Sequence, residues 1–323
     1  MSAGRPRVAI AGGSNGQLRR ALLASAPPGV EAVALAGPDG GRLDVTDRDA
    51  VHAAVRALAP EGIVNAAAWT AVDRAEAEPE AAAAVNAAGP AHLAEAARAC
   101  GAHLVHVSTD FVFGAGDGTP FEEGAPTSPL GVYGRTKRDG ELAALELAPG
   151  SAVVRTAWVH SASGSNFVLT MLRLMAERES LDVVADQLGA PTRAGSLALA
   201  LWRTVELGAA GILHWTGAGV ASWYDFAVAI AEEGAARGLV PAGRRVRPIP
   251  SRDYPTPAAR PAYGVLSHLA TRERLGIAPE HWREGLRATL DEVAAARAAP
   301  ARPDAEPGAD ARSAPRRRQE SPR

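Results

Sequence analysis

Near its N-terminus the chain carries the pattern that most restricts its fold: a short apolar segment, a glycine-rich turn and a helical pattern follow one another directly. Arg7–Ala11 reads as a buried strand, residues 12–19 (GGSNGQLR) as the turn, and the helical pattern runs to Ala26. In open α/β sheets such a turn brings backbone amides and the positive end of a helix to a pyrophosphate. The pattern predicts a parallel sheet that binds a dinucleotide at its first turn, with an ordinary βα turn as the plainer alternative.

Strand-like and helix-like segments alternate along the rest of the chain. Further strands are predicted at residues 30–35, 43–47, 62–65, 103–108, 152–156 and 211–215, with helical patterns between them. The helical pattern at residues 80–100 is typical of a packing helix. This alternation predicts an α/β fold, a Rossmann-type doubly wound parallel sheet with a smaller, partly discontinuous α/β substrate domain.

The pattern becomes less regular after Trp158, and we divide the chain there. Residues 1–157 are predicted to form the dinucleotide-binding domain and residues 158–297 mainly the substrate domain, with some segments returning to the sheet. Within the second part we expect helices at 166–176, up to about 206 and from Ser222, and a strand at 181–184. Residues 298–323 have almost no large apolar side chains and are predicted to be a disordered tail.

Tyr133 and Lys137 are the most distinctive pair of reactive side chains. Lys137 is the only lysine among 34 Lys and Arg residues, and the chain has four tyrosines. Arginine cannot replace lysine where a compact ammonium or a removable proton is required. Residues four apart share a helix face, so we expect the ammonium to lower the tyrosine pKa. The phenol is therefore predicted to act as a general acid for carbonyl reduction, with a surface Tyr–Lys pair as the plainer alternative.

Residues at the carboxyl ends of the predicted strands should face one crevice. Thr109 follows the strand at 103–108, where its hydroxyl can bond a substrate oxygen and the phenol. The small residues 66–68 after the strand at 62–65 would let the backbone run close to a cofactor. The plainer alternative is that these alanines only pack against a helix. The strand at 30–35 ends without an acidic residue, which permits NADP, and Arg42 is a candidate for its 2′-phosphate. Asp44 is placed either against the adenine or as a simple loop carboxylate.

Composition excludes several other classes of function. The net charge of −2 gives no basic field for nucleic acid or an anionic membrane. The single Cys100 excludes internal disulfides and thiolate metal clusters, and it fits a reducing cytoplasm. The eight histidines lack metal-ligand spacing, so no metal site is predicted. We also expect no membrane span, because no apolar run of about twenty residues occurs, and no signal peptide, because the N-terminus leads directly into a strand-like segment.

Taken together, the motifs resemble those of the dTDP-4-dehydrorhamnose reductases, a family of the extended short-chain dehydrogenase/reductases. The resemblance covers roughly residues 7–292. The stretches that carry it are residues 13–18 (GSNGQL), 65–73 (NAAAWTAVD), 108–113 (STDFVF), 132–137 (VYGRTK), 155–158 (RTAW), 186–192 (DQLGAPT) and 254–261 (YPTPAARP).

The resemblance implies a role for each matching residue. Tyr133 would be the proton donor, Lys137 would hold the nicotinamide ribose, and Thr109 would complete the catalytic triad. The cofactor would contact Gly13, Gly16, Gln17, Leu18, Asp44, Val45, Ala68, Trp69, Thr70, Tyr133 and Lys137. The deoxysugar nucleotide would contact Thr109, Asp110 and Trp158.

The resemblance also implies a reaction, a substrate and an assembly. NADPH would reduce C4 of dTDP-4-dehydro-β-L-rhamnose, a dTDP-4-keto-6-deoxy sugar, to give dTDP-L-rhamnose. NADH is accepted by many members, and some are Mg²⁺-dependent homodimers. The stiff loop at residues 254–261, with its single charged Arg260, is expected either to clamp an anionic substrate or to carry a solvated arginine.

Three residues depart from the family pattern. Arg19 stands where the third glycine is usual, and it either loosens the cofactor site or swings towards solvent or a phosphate. Phe111 and His160 stand where the family usually has tyrosines, so two phenolic contacts to the sugar are absent.

Three other functions are compatible with parts of this pattern. A dehydratase or epimerase is disfavoured because Thr109 and Asp110 are followed by Phe111 and not by a second carboxylate. A 4-ketoreductase for another dTDP-4-keto-6-deoxyhexose and a non-catalytic reductase-like binding subunit stay open.

Overall fold

A parallel sheet forms the centre of this computed structural model, which describes residues 5–37 and 40–298. Its described strands are β1 (Arg7–Ala11), β2 (Glu31–Ala34), β3 (Gly62–Asn65), β4 (His103–Thr109), β5 (Ala152–Thr156), β6 (Val159–His160), β7 (Ser180–Val184), β8 (Leu188–Gly189), β9 (Thr192–Arg193), β10 (Gly211–His214), β11 (Ala221–Ser222) and β12 (Arg245–Ile249).

Helices cover both faces of this sheet and continue beyond it. The described α-helices are α1 (Gln17–Ala24), α2 (Arg48–Leu58), α3 (Val72–Ala77), α4 (Pro79–Ala83), α5 (Gly89–Cys100), α6 (Val132–Leu147), α7 (Phe167–Glu177), α8 (Ala194–Leu207), α9 (Trp223–Ala236), α10 (Leu269–Leu275) and α11 (Trp282–Ala298). A π-helical segment at Ala84–Ala88 joins α4 to α5, and 3₁₀ turns lie at Asp110–Val112 and Ser251–Asp253.

The sheet has the predicted doubly wound order. Six strands lie in the order β10-β5-β4-β3-β1-β2, and every pair is parallel. Strands β3 and β5 are buried along their whole length, which explains their continuous apolar character, because helices cover both faces. The strand order reverses between β1 and β3, so a crevice opens at the carboxyl ends of these two strands.

The strand predicted at residues 43–47 is wrong. Asp44 instead accepts hydrogen bonds from the backbone N and the Oγ1 of Thr46, at 2.9 and 2.8 Å, and this local turn competes with strand pairing. Arg42 forms a single bridge to Ala36. Asp47 caps the helix α2 that follows, because its carboxylate accepts from Ala50 N at 3.0 Å.

The packing helix predicted at residues 80–100 is not a uniform α-helix. The π-helical segment interrupts it where α6 passes very close, since a Cβ on Gly140 would lie 2.1 Å from the carbonyl oxygen of Asn86. Such single-turn bulges are frequent at functional sites. Here the bulge carries the buried side chain of Asn86.

Helices α7, α9 and α11 and the parallel pair β7 and β12 build a second core beyond the sheet. Its buried side chains include Val168, Phe226 and Leu286. Strand β10, from the same half of the chain, pairs with β5 in the main sheet. The division at residue 157 stays a prediction. The predicted tail lies outside the described residues except for Ala298, which ends α11. In the described ranges no helix is long and apolar enough to span a membrane.

Candidate active site

Helix α6 carries Tyr133 and Lys137 and begins next to α3. Its N-cap residue, Gly131, has no side chain to cap the helix, and Glu76 of α3 supplies the acceptor instead. Oε1 of Glu76 accepts from Val132 N at 2.7 Å. A Cβ on Gly131 would lie 2.5 Å from that oxygen, so a side chain at this position would displace the carboxylate. The first turn of α6 is thus fixed from outside the helix.

Tyr133 is buried, and its pKa is opposite to our expectation. Burial raises the pKa of the Tyr133 phenol to about 12, while the hydrogen bond with Thr109 lowers it and the charge of Asp110 raises it. The phenol ring packs edge-to-face with Phe111, with ring centroids 5.4 Å apart. The expected lowering by Lys137 is therefore wrong, and the phenol keeps its proton across the neutral range.

Lys137 lies against strand β4. Its Nζ donates to the carbonyl oxygen of Val107 at 2.7 Å and lies 3.3 Å from Nε2 of His106. Burial lowers the pKa of the Lys137 ammonium to about 8, and the charge of Glu141 opposes this shift. His106 was not predicted as a site residue, because in the sequence it is a single histidine between two valines of a strand and nothing marks it as functional.

Thr109 and Asp110 are both buried at the carboxyl end of β4. Oγ1 of Thr109 donates to Oδ1 of Asp110 at 3.0 Å and accepts from Phe111 N at 3.2 Å. Burial raises the pKa of the Asp110 carboxyl to about 7. Gly264 backs this carboxyl, since a Cβ there would lie 2.7 Å from Oδ2.

The predicted cofactor turn follows β1 and leaves room for a ligand. A Cβ on Gly13 would meet nothing within 4 Å, and α1 begins after Gly16 without a side-chain cap or an acid in its first turn. The side chain of Gln17 points elsewhere, because its Oε1 accepts from Ser161 and Asn166 at 2.9 and 2.8 Å. The backbone of this turn fits a pyrophosphate.

Arg19 adds an unpaired donor beside the same turn. Its Nε is buried and has no hydrogen-bond partner within the described part of the chain. Its Cβ lies 3.5 Å from the place that a Cβ on Gly12 would take. A half-buried guanidinium with an unsatisfied donor fits an anionic group at this turn.

The segment after β3 is held by Asn86, a residue that the sequence did not single out. Oδ1 of Asn86 accepts from Trp69 N at 2.8 Å, and its Nδ2 donates to Trp69 O and to Oγ1 of Thr136, both at 3.2 Å. The guanidinium of Arg74 lies over the Trp69 ring at 4.8 Å. Ala68 and Thr70 are exposed beside it. Of the other two predicted cofactor contacts, Asp44 is turned to Thr46 and Val45 is buried under Gly89.

Trp158 lies on the predicted sugar side. It is one of two described non-glycine residues with a left-handed backbone, at φ 47°, a conformation that costs about 1 kcal/mol. Its ring stacks on Trp223 with centroids 3.5 Å apart, and a Cβ on Gly189 would lie 2.7 Å from it. A crevice of about 90 Å³ beside the ring also contacts Asp110 and Phe111.

A larger cavity of about 670 Å³ adjoins this crevice, since Gln187, Trp223 and Arg260 line both. Its apolar wall includes Phe167 and Met171. The sequence left Arg260 either as a clamp for an anionic substrate or as a solvated arginine, and the clamp stays a prediction. Its guanidinium forms a double hydrogen bond with the Asp73 carboxylate, at 2.9 and 2.8 Å.

Phe111 and His160, which stand where the family usually has tyrosines, lie in different parts of the structure. Phe111 lies at the crevice against Tyr133. His160 is buried beyond it, with Nδ1 3.1 Å from Oγ1 of Thr289 and its ring against Phe226, so it belongs to the second core. In residues 5–37 and 40–298 no group of three His, Cys, Asp or Glu side chains is arranged to hold a metal ion.

Comparisons with known proteins confirm the resemblance. Residues 7–295 match the family model for the RmlD substrate binding domain. The chain is 49% identical over 256 residues to a dTDP-4-dehydrorhamnose reductase of Mycolicibacterium smegmatis, covering 78% of this chain and 75% of the relative. It is 44% identical over 295 residues to a probable dTDP-4,6-dihydroxy-2-methyloxan-3-one 4-ketoreductase of Streptomyces antibioticus, covering 90% and 97%.

Solved structures give the same answer. The crystal structure of a dTDP-4-dehydrorhamnose reductase from Bacillus anthracis in complex with NADP has a TM-score of 0.82 to this chain at 33% identity, covering 89% of this chain and 99% of that one. The chain therefore belongs to the dTDP-4-dehydrorhamnose reductase family.

Proposed function

We propose that the protein reduces the C4 keto group of dTDP-4-dehydro-β-L-rhamnose with NADPH to give dTDP-L-rhamnose, and that Tyr133 is the proton donor. The observation that carries the proposal is the buried contact of Tyr133 with Thr109, beside an Asp110 that opens onto the crevice under Trp158. The names of the two curated relatives support the reaction type.

The residues divide into a cofactor side and a sugar side. Backbone groups at Gly13, Gly16, Gln17 and Leu18, with Arg19 beside them, would hold the pyrophosphate. Trp69 and Lys137 would line the nicotinamide half, which supplies the hydride when NADPH is bound. The crevice next to Trp158 would take the sugar, and the 670 Å³ cavity would take the nucleotide part of the substrate.

The proton step follows from the electrostatics of Tyr133. Its phenol is neutral at neutral pH because burial raises its pKa to about 12. As negative charge develops on the substrate oxygen, Tyr133 donates its proton to that oxygen. The hydroxyl of Thr109, which contacts the phenol, would turn its single proton from Asp110 to that oxygen.

NADPH is proposed as the preferred cofactor over NADH. Strand β2 ends at Ala34 without an acidic residue that would repel a 2′-phosphate, and Arg42 bridges to Ala36 there. Fluorescence titration of both nucleotides should give the lower Kd for NADPH. Equal values would remove Arg42 from this role.

A 4-ketoreductase of another dTDP-4-keto-6-deoxyhexose is the second candidate. The relative from Streptomyces antibioticus is named for such an activity and is matched over 97% of its length. The replacement of a usual tyrosine by Phe111 at the crevice also changes the sugar contacts.

The assay that tests the proposal follows NADPH oxidation with a panel of dTDP-4-keto sugars. We expect the highest kcat/KM with dTDP-4-dehydrorhamnose, and a loss of at least about a hundredfold in kcat for Tyr133→Phe with folding retained. A preference for another sugar would select the second candidate. Tight NADPH binding without oxidation of any sugar would favour a binding subunit.

The remaining predictions concern metal, assembly and location. The described residues offer no metal cluster, so no step is assigned to Mg²⁺, and we expect the rate to survive chelation by EDTA. The homodimer and the cytoplasmic location stay predictions. Sedimentation of the full chain tests the first.

A further inference from the structure

Behind Lys137 lies a row of buried polar groups that the proposed reduction does not use. Asn65 ends β3, and His106 lies beside it on β4, at relative exposures of 1% and 0%. Nδ2 of Asn65 lies 3.0 Å from Nδ1 of His106, and Nε2 of the same ring lies 3.3 Å from Nζ of Lys137.

The backbone fixes the direction of every hydrogen bond in this row. The N–H of Ala67 donates to Oδ1 of Asn65 at 3.0 Å, so the amide oxygen faces Ala67 and the NH₂ group faces His106. Nδ1 of His106 must then accept, and a neutral imidazole carries its single proton on Nε2. That N–H points at Lys137.

An N–H donor that faces Nζ favours one protonation state of the lysine. A neutral amine has a lone pair that can accept from His106, whereas an ammonium would place donor against donor. We propose that Asn65 and His106 form a relay that presents a hydrogen-bond donor to Lys137 and so favours release of the lysine proton. Asn65 and His106 are positioning residues, because they act through Lys137.

Charges around Lys137 do not cancel this effect. Glu141, one turn along α6, is paired with Arg155 of β5 at 2.9 and 2.7 Å, so its charge is largely compensated. Asp110 is bonded by Thr109. His106 itself stays neutral, because burial and the charge of Lys137 hold the pKa of its imidazole well below the usual range.

The other titratable groups on α6 and on the elements packed against it have different partners or lie in solvent. On α6 itself, Arg138 pairs with Asp139, and Arg135 and Glu146 are exposed. On neighbouring elements they are Asp73 (bonded to Arg260), Glu76 (bonded to Val132), Glu78 (paired with Arg74), Glu95 (paired with Arg48), His92 (bonded to Val45), His103 (bonded to Ala209), and the exposed Glu80, Arg98 and Cys100.

The meaning of this relay for catalysis rests on the proposed reduction. Tyr133 gives up one proton in each turnover, and a lysine that releases its proton near the working pH is suited to replacing it. Burial already lowers the pKa of Lys137 to about 8, and the relay acts in the same direction.

Because Lys137 is the only lysine in the sequence, its titration can be observed without assignment. The full chain labelled with ¹³Cε-lysine gives one lysine resonance, whose pH titration reports the lysine pKa without cofactor or substrate. We expect His106→Phe to raise the midpoint by about one pH unit, because the facing donor is gone. If burial alone set the pKa of Lys137, His106→Phe would lower the midpoint, because phenylalanine makes the surroundings of the lysine more apolar.

Two further variants sharpen the test. Asn65→Leu does not touch Lys137 but frees the His106 ring to turn its lone pair towards the ammonium, so it should also raise the midpoint. His103→Phe makes the same change earlier on β4, away from Lys137, and should leave the midpoint where it is. An unchanged or lower midpoint in either His106→Phe or Asn65→Leu overturns the relay.

The wild-type protein gives an independent readout if the variants fail to fold. A ¹⁵N-histidine spectrum should show the ring next to the labelled lysine as neutral, with its proton on Nε2, and a proton on Nδ1 would overturn the proposal. In the NADPH assay the alkaline limb of kcat should move up in His106→Phe together with the lysine midpoint. Since the NMR titrations need no reaction, their failure is distinguishable from failure of the proposed reductase activity.

Discussion

Burial dominates the charge state of Tyr133, and this explains why the electrostatic expectation from the sequence was wrong. The i, i+4 spacing places Tyr133 and Lys137 on one helix face, but Lys137 extends to the carbonyl of Val107 on β4. The phenol therefore gains desolvation without a compensating cation, and its pKa rises to about 12. A donor that keeps its proton until charge appears on the substrate suits reduction better than a preformed phenolate.

The arginine at position 19, where the family usually has glycine, is predicted to strengthen the binding of NADPH. Its buried Nε has no partner in the described residues and lies beside the glycine turn. We expect Arg19→Ala to raise the Kd for NADPH about tenfold, because a charge-assisted hydrogen bond is lost. Fluorescence titration measures this.

The neighbouring Arg20→Ala is the matched control, since Arg20 is exposed and bonded to Asn15 at 2.9 Å. That variant should bind NADPH as the wild type does. If Arg19→Ala also keeps the wild-type Kd, then Arg19 only fills space at the turn.

The elements of the sheet were predictable because each combines a buried apolar run with a turn signal. Strands β1, β3, β4, β5 and β10 were predicted within a residue or two of their ends. The segment around Asp44 alternates apolar and polar side chains as a strand can, yet the hydrogen bonds from Thr46 to Asp44 satisfy the backbone locally. Pattern alone cannot rank such a turn against a strand, because the outcome depends on which partner strand is within reach.

Helix α6 depends on α3 for its first turn, and this gives a prediction at the scale of elements. Glu76→Ala removes the carboxylate that accepts from Val132 N, and this should lower the free energy of unfolding by about 1 kcal/mol. It should also lower kcat, because Tyr133 lies in the helix turn that loosens. Urea denaturation and steady-state kinetics measure the two effects.

Glu76→Gln separates hydrogen bonding from charge, because the amide oxygen can still accept from Val132. It should retain most of the stability and rate. A loss as large as that of Glu76→Ala would mean that the carboxylate charge, and not the hydrogen bond, holds the helix.

Across the whole molecule, Asp73 joins the cofactor half to the wall of the large cavity. Its carboxylate accepts from Arg260 and, at 3.1 Å, from Ala258 N. These residues lie 187 and 185 positions away in sequence. We expect Asp73→Ala to raise KM for the sugar nucleotide about tenfold, because the loop that lines the cavity loses its anchor. The Kd for NADPH should change little.

Glu78→Ala is the control for this prediction, since it breaks an exposed ion pair with Arg74 and leaves the loop in place. Both variants should change the free energy of unfolding by less than about 1 kcal/mol, because exposed or half-exposed pairs contribute little. Equal KM values in Asp73→Ala and the wild type would show that the loop is held by other contacts.

Much of the site could be predicted, and the unpredicted part has a common cause. Tyr133, Lys137 and Thr109 follow from local spacing and from the rule that strand ends share a crevice. His106, Asn86 and the Asp73–Arg260 pair do not, because each acts through a partner on another element. Nothing in the residues around His106 distinguishes it from an ordinary core histidine until Lys137 is brought against it by the packing of α6 on β4.

The face-to-face contact of Trp158 and Trp223 has an optical consequence. Two indoles with centroids 3.5 Å apart and planes only 8° from parallel have strongly coupled electronic transitions. Such a pair contributes a characteristic circular dichroism signal and a quenched emission among the chain's six tryptophans. Because Trp223 also lines the large cavity, a ligand that shifts either ring would change the wavelength and the intensity of the intrinsic tryptophan fluorescence.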